Sequence, residues 1–460
     1  MLNIQKLVKQ NQSKIEWLFL VWLMSIPIGN KIMSFSIGFM TVYPNLILSI
    51  LLFPIAIRSV WKWGTLLKTF LFILVGVVLF SIFWGVFNES NESWMIDFRI
   101  VLLNFIFTTI FFGIFTLLGK EVFLRILQKG IVFFLGILLG SGIFEYYTGI
   151  HLSGSFTDAL AKIGVATKIA YSPLYVYGNA NTYLVYLSLI SFLLLGILKL
   201  RSVKVNNWFF ISLFLLIFMF SEAADSKISL IVILLSLAFF LFSILKKVIF
   251  QNKNIIIFSL IGIAFISIVF INSPLYMGHK YSLQVAKSTT IVNEYGVEEE
   301  LEEGDVNDDG LIYDENYGRF LKKLSSTTVR KNLIYNGFDI IKSHPILGIG
   351  PGQFRVLHKD GRVKHNTESV VNPHNYIIEL IAQYGVFGWL YFSFLGVLFF
   401  IQIKICAKTK ENYWILSLIP VFLFYSLSPS SFLVLDINWI FISLTVVFTH
   451  ILYKMENNNV

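Results

Sequence analysis

Long apolar runs alternate with short polar segments along nearly the whole chain. They lie near residues 15–30, 38–57, 65–87, 97–118, 129–149, 180–199, 207–221, 228–245, 254–271, 375–402, 412–428 and 432–453. Most approach the roughly 20 residues that a helix needs to cross the hydrocarbon layer. In lipid, every backbone N–H and C=O must be satisfied inside the protein, so such runs fold as helices. The pattern predicts an all-α integral membrane protein with about 12 transmembrane helices. One stretch breaks the economy. Residues 272–373 form a long, mostly polar loop between helices 9 and 10, and loops of that length usually carry function or are disordered. The division expected is therefore 1–271 (helices 1–9), 272–373 (an extracytoplasmic loop with an amphipathic helix near 328–343) and 374–460 (helices 10–12).

Composition narrows the class. Of 460 residues, 56% are hydrophobic and only 14% charged, against roughly 25% charged in a soluble domain. A water-soluble enzyme, a disordered chain and a nucleic-acid-binding protein are all excluded on that ground. The net charge of +9 has a topological cause. Lys6, Lys9 and Lys14 precede the first run; Arg58, Lys62 and Lys68 separate the second and third; Lys120, Arg125 and Lys129 the fourth and fifth. The same holds at Lys199, Arg201 and Lys204, at Lys246, Lys247 and Lys253, at Lys404, Lys408 and Lys410, and at Lys454. All are even crossings, so the positive-inside rule puts these loops and both termini in the cytoplasm. Residues 1–14 are basic and polar, and the run from Ile15 has no small-residue cleavage site, so it is expected to be the first span and not a cleaved leader. The single cysteine, Cys406, excludes an internal disulfide.

The loop concentrates the polar chemistry. Five of the seven histidines (His279, His344, His358, His365, His374) lie in it or at its end. Glu294 to Glu315 holds eleven acidic residues and no basic one, whereas Arg319 to Lys364 holds ten basic residues and two acidic ones, Asp339 and Asp360. Thr327 or Thr328 can cap a helix stopped by Pro345, with Leu333, Ile334, Phe338 and Ile341 at helical spacing. Such a helix suits a membrane interface. Arg330 falls in its expected first turn, where a guanidinium fork beside free N–H groups would bind phosphate; a snorkelling Arg against headgroups is the plainer alternative. His344-Pro-Ile-Leu-Gly-Ile-Gly-Pro-Gly-Gln-Phe354 follows. Its glycines, Gly350 and Gly352 among them, permit close backbone approach to a substrate or serve only a structural turn. In Asn372-Pro-His-Asn375, Asn372 suits an N-cap and Pro373 the first helical position. His374 would then sit in the first turn of helix 10, kept neutral by the helix dipole and able to accept a proton; capping or packing is the other role open to it.

Arg330, then HPILGIGPGQF, then PHN, nine residues and Gly385-x-x-Gly388 resemble the signature of the O-antigen ligase and polymerase superfamily. That resemblance implies a membrane glycosyltransferase that moves glycan from a polyprenyl-diphosphate donor to an acceptor hydroxyl at the outer face of the cytoplasmic membrane. It implies no nucleotide sugar and no cofactor required for catalysis. Arg330 would hold the diphosphate, and His374 would activate the acceptor or position the diphosphate. Lys227 would stand where the family often has an arginine, and as a point charge it is not a fork. Substrate contacts are also expected from Asn375, Gly350 and Gly352. Glu145, near the outer end of helix 5, and Asn179 and Asn181, before helix 6, are further candidates, with interface and capping roles as alternatives. The partners implied are the donor, the acceptor glycan, the bilayer and other assembly proteins such as a chain-length regulator. The Lys-, Asn-, Ile- and Phe-rich composition favours a capsule, exopolysaccharide or teichuronic-type product over lipopolysaccharide. A flippase for lipid-linked oligosaccharide is the competing class; it should show mid-span charges and paired halves, and neither is evident.

Asp305-Val-Asn-Asp-Asp-Gly-Leu-Ile-Tyr-Asp-Glu-Asn316 resembles an EF-hand or dockerin loop. Asp305, Asn307, Asp309 and the carbonyl of Leu311 would ligate Ca²⁺, with Gly310 at the turn. The twelfth position is Asn316 and not an acid, so an acidic solvated segment is the alternative.

Overall fold

The computed structural model describes residues 11–29, 35–37, 40–87, 92–148, 180–203, 207–223, 291–292, 298–299, 311–314, 319–322, 326–367, 370–409, 412–427 and 435–458. Its helices are α1 (Gln12–Gly29), α2 (Pro44–Ile57), α3 (Thr65–Phe87), α4 (Glu92–Thr148), α5 (Ala180–Leu200) and α6 (Asn207–Ala223). There follow α7 (Ser326–Ser343), α8 (Gln353–Lys359), α9 (Tyr376–Tyr384), α10 (Val386–Thr409), α11 (Leu418–Tyr425) and α12 (Asp436–Asn458). Short 3-10 turns cover Val60–Lys62 and Tyr413–Ser417. Three two-stranded antiparallel hairpins add a minor β component that hydropathy did not signal: β1 (Phe35–Ile37) with β2 (Met40–Val42), β3 (Ile291–Val292) with β4 (Glu298–Glu299), and β5 (Leu311–Asp314) with β6 (Arg319–Lys322).

Among the described residues, five helical runs are long and apolar enough to cross a membrane: Thr65–Phe87, Ser93–Tyr146, Thr182–Leu200, Val386–Thr409 and Asp436–Asn457. The second is long enough for two crossings. Its helix changes direction at Gly119, whose φ of 77° and ψ of 170° are non-helical. Three shorter apolar helices, Pro44–Ile57, Trp208–Ser221 and Tyr413–Tyr425, fall on other expected spans. The expected spans at 228–245 and 254–271 lie outside the described residues. The chain is thus a multi-pass membrane protein built of helices.

Contacts divide the chain into two units. The first comprises Met1–Leu138, Val185–Leu213 and Thr328–Val460; the second comprises Leu139–Leu184 and Phe214–Thr327. Within the first, close helix packing follows from small residues and aromatic interlock. A side chain at Gly113 would lie 2.4 Å from the Ala56 Cβ, so α4 meets α2 nearly backbone to backbone. Phe70 stacks on Phe394 with centroids 5.1 Å apart, and Tyr391 meets Trp439 edge-on at 5.9 Å. Sparse polar pairs tie helices together where lipid offers no alternative partner. Trp22 Nε1 donates to Ser49 Oγ at 2.8 Å, Thr108 and Ser443 hydroxyls lie 2.8 Å apart, and Gln402 Nε2 donates to Thr449 Oγ1 at 3.0 Å. Each such bond contributes about 0.6–2 kcal/mol in a membrane interior.

Candidate functional site

The site gathers around α7, the glycine loop that follows it, and α9. Helix α7 begins at Ser326, earlier than expected, so Arg330 lies in its second turn and not among the free N–H groups of the first. Its buried stripe also differs from the one expected. Val329, Leu333, Asn336, Gly337 and Ile340 face the protein, while Phe338 is 49% exposed. The reason is the close approach at Gly337, where a Cβ would sit 2.1 Å from Ile378 Cγ2 of α9. That contact rotates the helix relative to the purely apolar face.

A polar strap completes the face of α7. Asn336 Nδ2 donates to the His365 carbonyl at 2.8 Å and lies 3.2 Å from His358 Nε2; Asn336 Oδ1 accepts from the His365 amide at 2.9 Å. His358 Nδ1 in turn bonds the Phe354 carbonyl at 2.8 Å. Burial pushes the His358 pKa below the usual histidine value, and a neutral ring fits an Nε2 that accepts from an amide. Asn332 Nδ2 fastens the same strap at the Asn366 carbonyl, 2.7 Å away.

The glycine loop and the Gly385-x-x-Gly388 motif are one device. Residues 375–402 were expected as a single helix; the structure breaks it at Gly385, with φ of 51° and ψ of −119°. Into the break fits the loop: Ile349 N donates to the Ala382 carbonyl at 2.9 Å, Gly350 N to the Gln383 carbonyl at 3.0 Å, and Val386 N to the Ile346 carbonyl at 2.7 Å. The first two bonds take up terminal carbonyls that α9 would otherwise leave unsatisfied, and the third takes up the free first N–H of α10. Gly348, Gly350 and Gly352 all have positive φ. Gly352 N donates to Asp97 Oδ2 at 2.9 Å and to Gln383 Oε1. Asp97 also accepts from Arg355 Nη2, and its side chain is almost wholly buried. Gly350 and Gly352, expected at a substrate, therefore have amides committed within the protein. Asp97, Gln383 and Arg355 are site-building residues that sequence reading missed. An acid in the fourth apolar run was the available signal, but its partners lie more than 250 residues away.

His374 sits differently from expectation. The N-cap of α9 is Asn375, whose Oδ1 accepts from Ile377 N at 3.1 Å and Ile378 N at 3.2 Å; Asn372 does not start the helix. His374 precedes the cap, with φ of 49°, in the left-handed region that non-glycine residues seldom adopt. It is half-buried, and its Nδ1 is buried without a hydrogen-bond partner among the described residues. Its pKa is lowered to about 4, first by burial and second by the charge of Arg330. The ring is neutral as expected, but for a different reason: it stands outside the helix's first turn, and desolvation and a nearby cation suffice. Arg330 and His374, 44 positions apart in the chain, are thus brought together.

Glu145 belongs to the second unit, where it is fully buried and interacts electrostatically with Tyr183; Tyr146 and Tyr183 both contact Phe220. Asn181 lies in the first turn of α5, and Asn179 and Lys227 lie outside the described residues. Of the expected calcium ligands, Leu311 begins β5, while Asp305, Asn307 and Asp309 lie outside the described residues. Among the described residues no cluster of three His, Cys, Asp or Glu forms a metal site.

The fold and this cluster define a multi-pass membrane protein with an arginine–histidine pair beside a loop-locked helix break. The family model described as O-antigen ligase matches residues 209–393, a stretch holding Arg330, the glycine loop, His374 and the Gly385-x-x-Gly388 break. The resemblance to the O-antigen ligase and polymerase superfamily is thereby shown. The teichuronic acid biosynthesis protein TuaE of Bacillus subtilis (strain 168) is 23% identical over 396 residues, covering 82% of this chain and 72% of its own.

Proposed function

We propose that the chain is a membrane glycosyltransferase that polymerises or ligates polyprenyl-diphosphate-linked oligosaccharide in cell-surface polysaccharide synthesis, with a teichuronic-type polymer the favoured product. It acts at the outer face of the cytoplasmic membrane, both termini being cytoplasmic. The observation that carries this reading is the juxtaposition of the Arg330 cation with a neutral His374 whose Nδ1 has no partner among the described residues. A lipid-linked diphosphate needs a cation beside its leaving oxygen, and an acceptor hydroxyl needs a proton acceptor.

In the step proposed, the acceptor hydroxyl oxygen bonds to the anomeric carbon. The bond from that carbon to the diphosphate oxygen breaks, and the polyprenyl diphosphate leaves with the electron pair. The hydroxyl proton passes to His374. Arg330 binds the charge that grows on the diphosphate. The pair is coupled. With the site empty, burial first and Arg330 second hold His374 to a weak basicity. An anionic diphosphate on Arg330 offsets that cation and raises the pKa of His374, so the base strengthens when the donor is present. No cofactor enters this chemistry. Calcium in the 305–316 loop would be structural.

The test replaces His374 by Ala and, separately, Arg330 by Ala and by Lys. Membrane insertion is checked first, and glycan length is then read on a gel. The alanine variants are expected to lose about 10²–10⁴-fold in rate, with Arg330→Lys keeping charge but losing the fork. Single repeat units accumulating on carrier at the outer leaflet indicate a polymerase, and preformed long chains stranded there indicate a ligase. Repeat units trapped on the inner leaflet would favour the flippase reading. Unchanged glycan in both alanine variants would sink the catalytic assignment.

A further inference from the structure

The face of α7 that turns away from the protein has a definite chemistry. Phe338 and Lys342 are both exposed and lie four residues apart on it, which places them on neighbouring turns of one helix face. Directly after the helix, Ile346 is 68% and Leu347 53% exposed. In water, two large aliphatic side chains at the tip of a turn gain nothing from such a position. Nor is the turn free to fold them inward. His344 N donates to the Ile340 carbonyl at 2.9 Å and Gly348 N to the His344 carbonyl at 3.0 Å. The Ile346 carbonyl accepts from Val386 N, and a Cβ at Gly385 would lie 2.1 Å from that oxygen. The backbone is clamped on both sides, and the side chains are held outward.

The clamp also sets their height. Val386 is the first residue of α10, one of the helices able to cross a membrane. A turn bonded to it lies level with the point where that helix begins. Exposed Trp389 marks the same level on α10, and tryptophan favours the membrane–water boundary. The apolar surface of the turn is therefore continuous with the lipid-facing surface of the span. Lys342 adds a cation one turn back, long enough to reach a headgroup phosphate while its stem stays in apolar contact.

We infer that Ile346, Leu347 and Phe338 form a lipid-dipping wedge that seats α7 in the headgroup layer of the leaflet where α10 begins. The occupant of this surface is the bilayer. Continuity with the span argues for lipid over a second copy of the chain. So does the mixture of aliphatic tips with a basic side chain. The wedge does not depend on any catalytic role for Arg330 or His374. Its consequence is positional: the C-terminal end of α7 and the start of the glycine loop are held at the surface of that leaflet.

The chain has one cysteine, Cys406, buried in α10, which makes depth measurement direct. Full-length protein carrying Cys406→Ser together with Phe338→Cys, Ile346→Cys or Leu347→Cys would be nitroxide-labelled. It would then be reconstituted in phosphatidylcholine–phosphatidylglycerol vesicles. Phe400→Cys, exposed within α10, provides the lipid reference, and Asp360→Cys, exposed after α8, the water reference. The labels at Ile346 and Leu347 are expected to collide more with oxygen than with a water-soluble nickel chelate, at depths between the two references. Chelate accessibility equal to that at Asp360 would overturn the wedge. Shielding from both colliders would also overturn it, because it would show that protein and not lipid covers the face. Three independent label positions keep the test decisive if one substitution disturbs folding.

Discussion

His374 carries the most information per residue. Its type and spacing were legible in the sequence, because a histidine next to Asn375 and ahead of Gly385-x-x-Gly388 matches a recognisable pattern. Its electrostatics were legible only in outcome. Helix-dipole reasoning and the structure both make the ring neutral, but the structure assigns the effect to burial and to Arg330. The two causes predict different pH behaviour. With a folded pKa of about 4 in the empty site, His374 is unprotonated across the neutral range. The His374-dependent kcat/KM in membrane vesicles, which reports the free enzyme, should therefore persist in mild acid and fall only as pH drops toward that value, while the limb of kcat lies higher. Arg330→Gln removes one of the two lowering influences, so the acid limb of its residual activity should move up toward the ordinary histidine value of about 6.5. An unmoved limb would break the proposed pairing. The sign for stability follows the same proton. A histidine held neutral in the fold favours the folded state above its unfolded pKa, and that contribution drains away as pH falls from about 6.5 through the folded value.

At the scale of elements, the break between α9 and α10 decides the architecture of the site. Hydropathy reads 375–402 as one helix because both pieces are apolar and no proline intervenes. The break comes from Gly385, whose backbone geometry is open only to glycine and whose Cα faces the Ile346 carbonyl. Gly385→Ala should therefore destabilise by about 2 kcal/mol or more, from backbone strain and a direct clash, read as a lower thermal midpoint in detergent. The Asp97–Arg355 pair makes the second element-scale prediction. Asp97 is nearly fully buried and also holds the Gly352 amide. Asp97→Asn leaves Arg355 uncompensated and should cost about 3–5 kcal/mol, while the double variant with Arg355→Gln should recover part of it. Additive losses in that double-mutant cycle would show that the two side chains do not act together. The calcium-like loop, the second candidate device in the sequence, has only Leu311 of its expected ligands on a described element.

At the scale of the whole molecule, the apolar runs and the placement of Lys and Arg make a topological prediction. Single cysteines introduced at Arg58 or Lys62, or near Lys454, in a Cys406→Ser background should resist a membrane-impermeant maleimide in intact cells. One at Asp360 should react. A reversed pattern would invert the orientation proposed for both termini. The sequence alone determined that the chain is a membrane protein of helices and where most of them lie; Arg330 and His374 stood out only through the resemblance of the motif order to a known family. The helices follow from composition and from short-range spacing, because the need to satisfy the backbone in lipid acts on each segment locally. Tertiary structure decided which face of α7 is buried, that one apparent span is two helices, and that the glycine loop locks the break between them. It also decided that Asp97 and Arg355 belong to the same site. Each of those outcomes rests on a contact between residues far apart in the chain: Gly337 with Ile378, Ile346 with Gly385 and Val386, Asp97 with Gly352. Periodicity along a sequence carries no term for such contacts, so the fold class was readable from the chain and the geometry of the site was not.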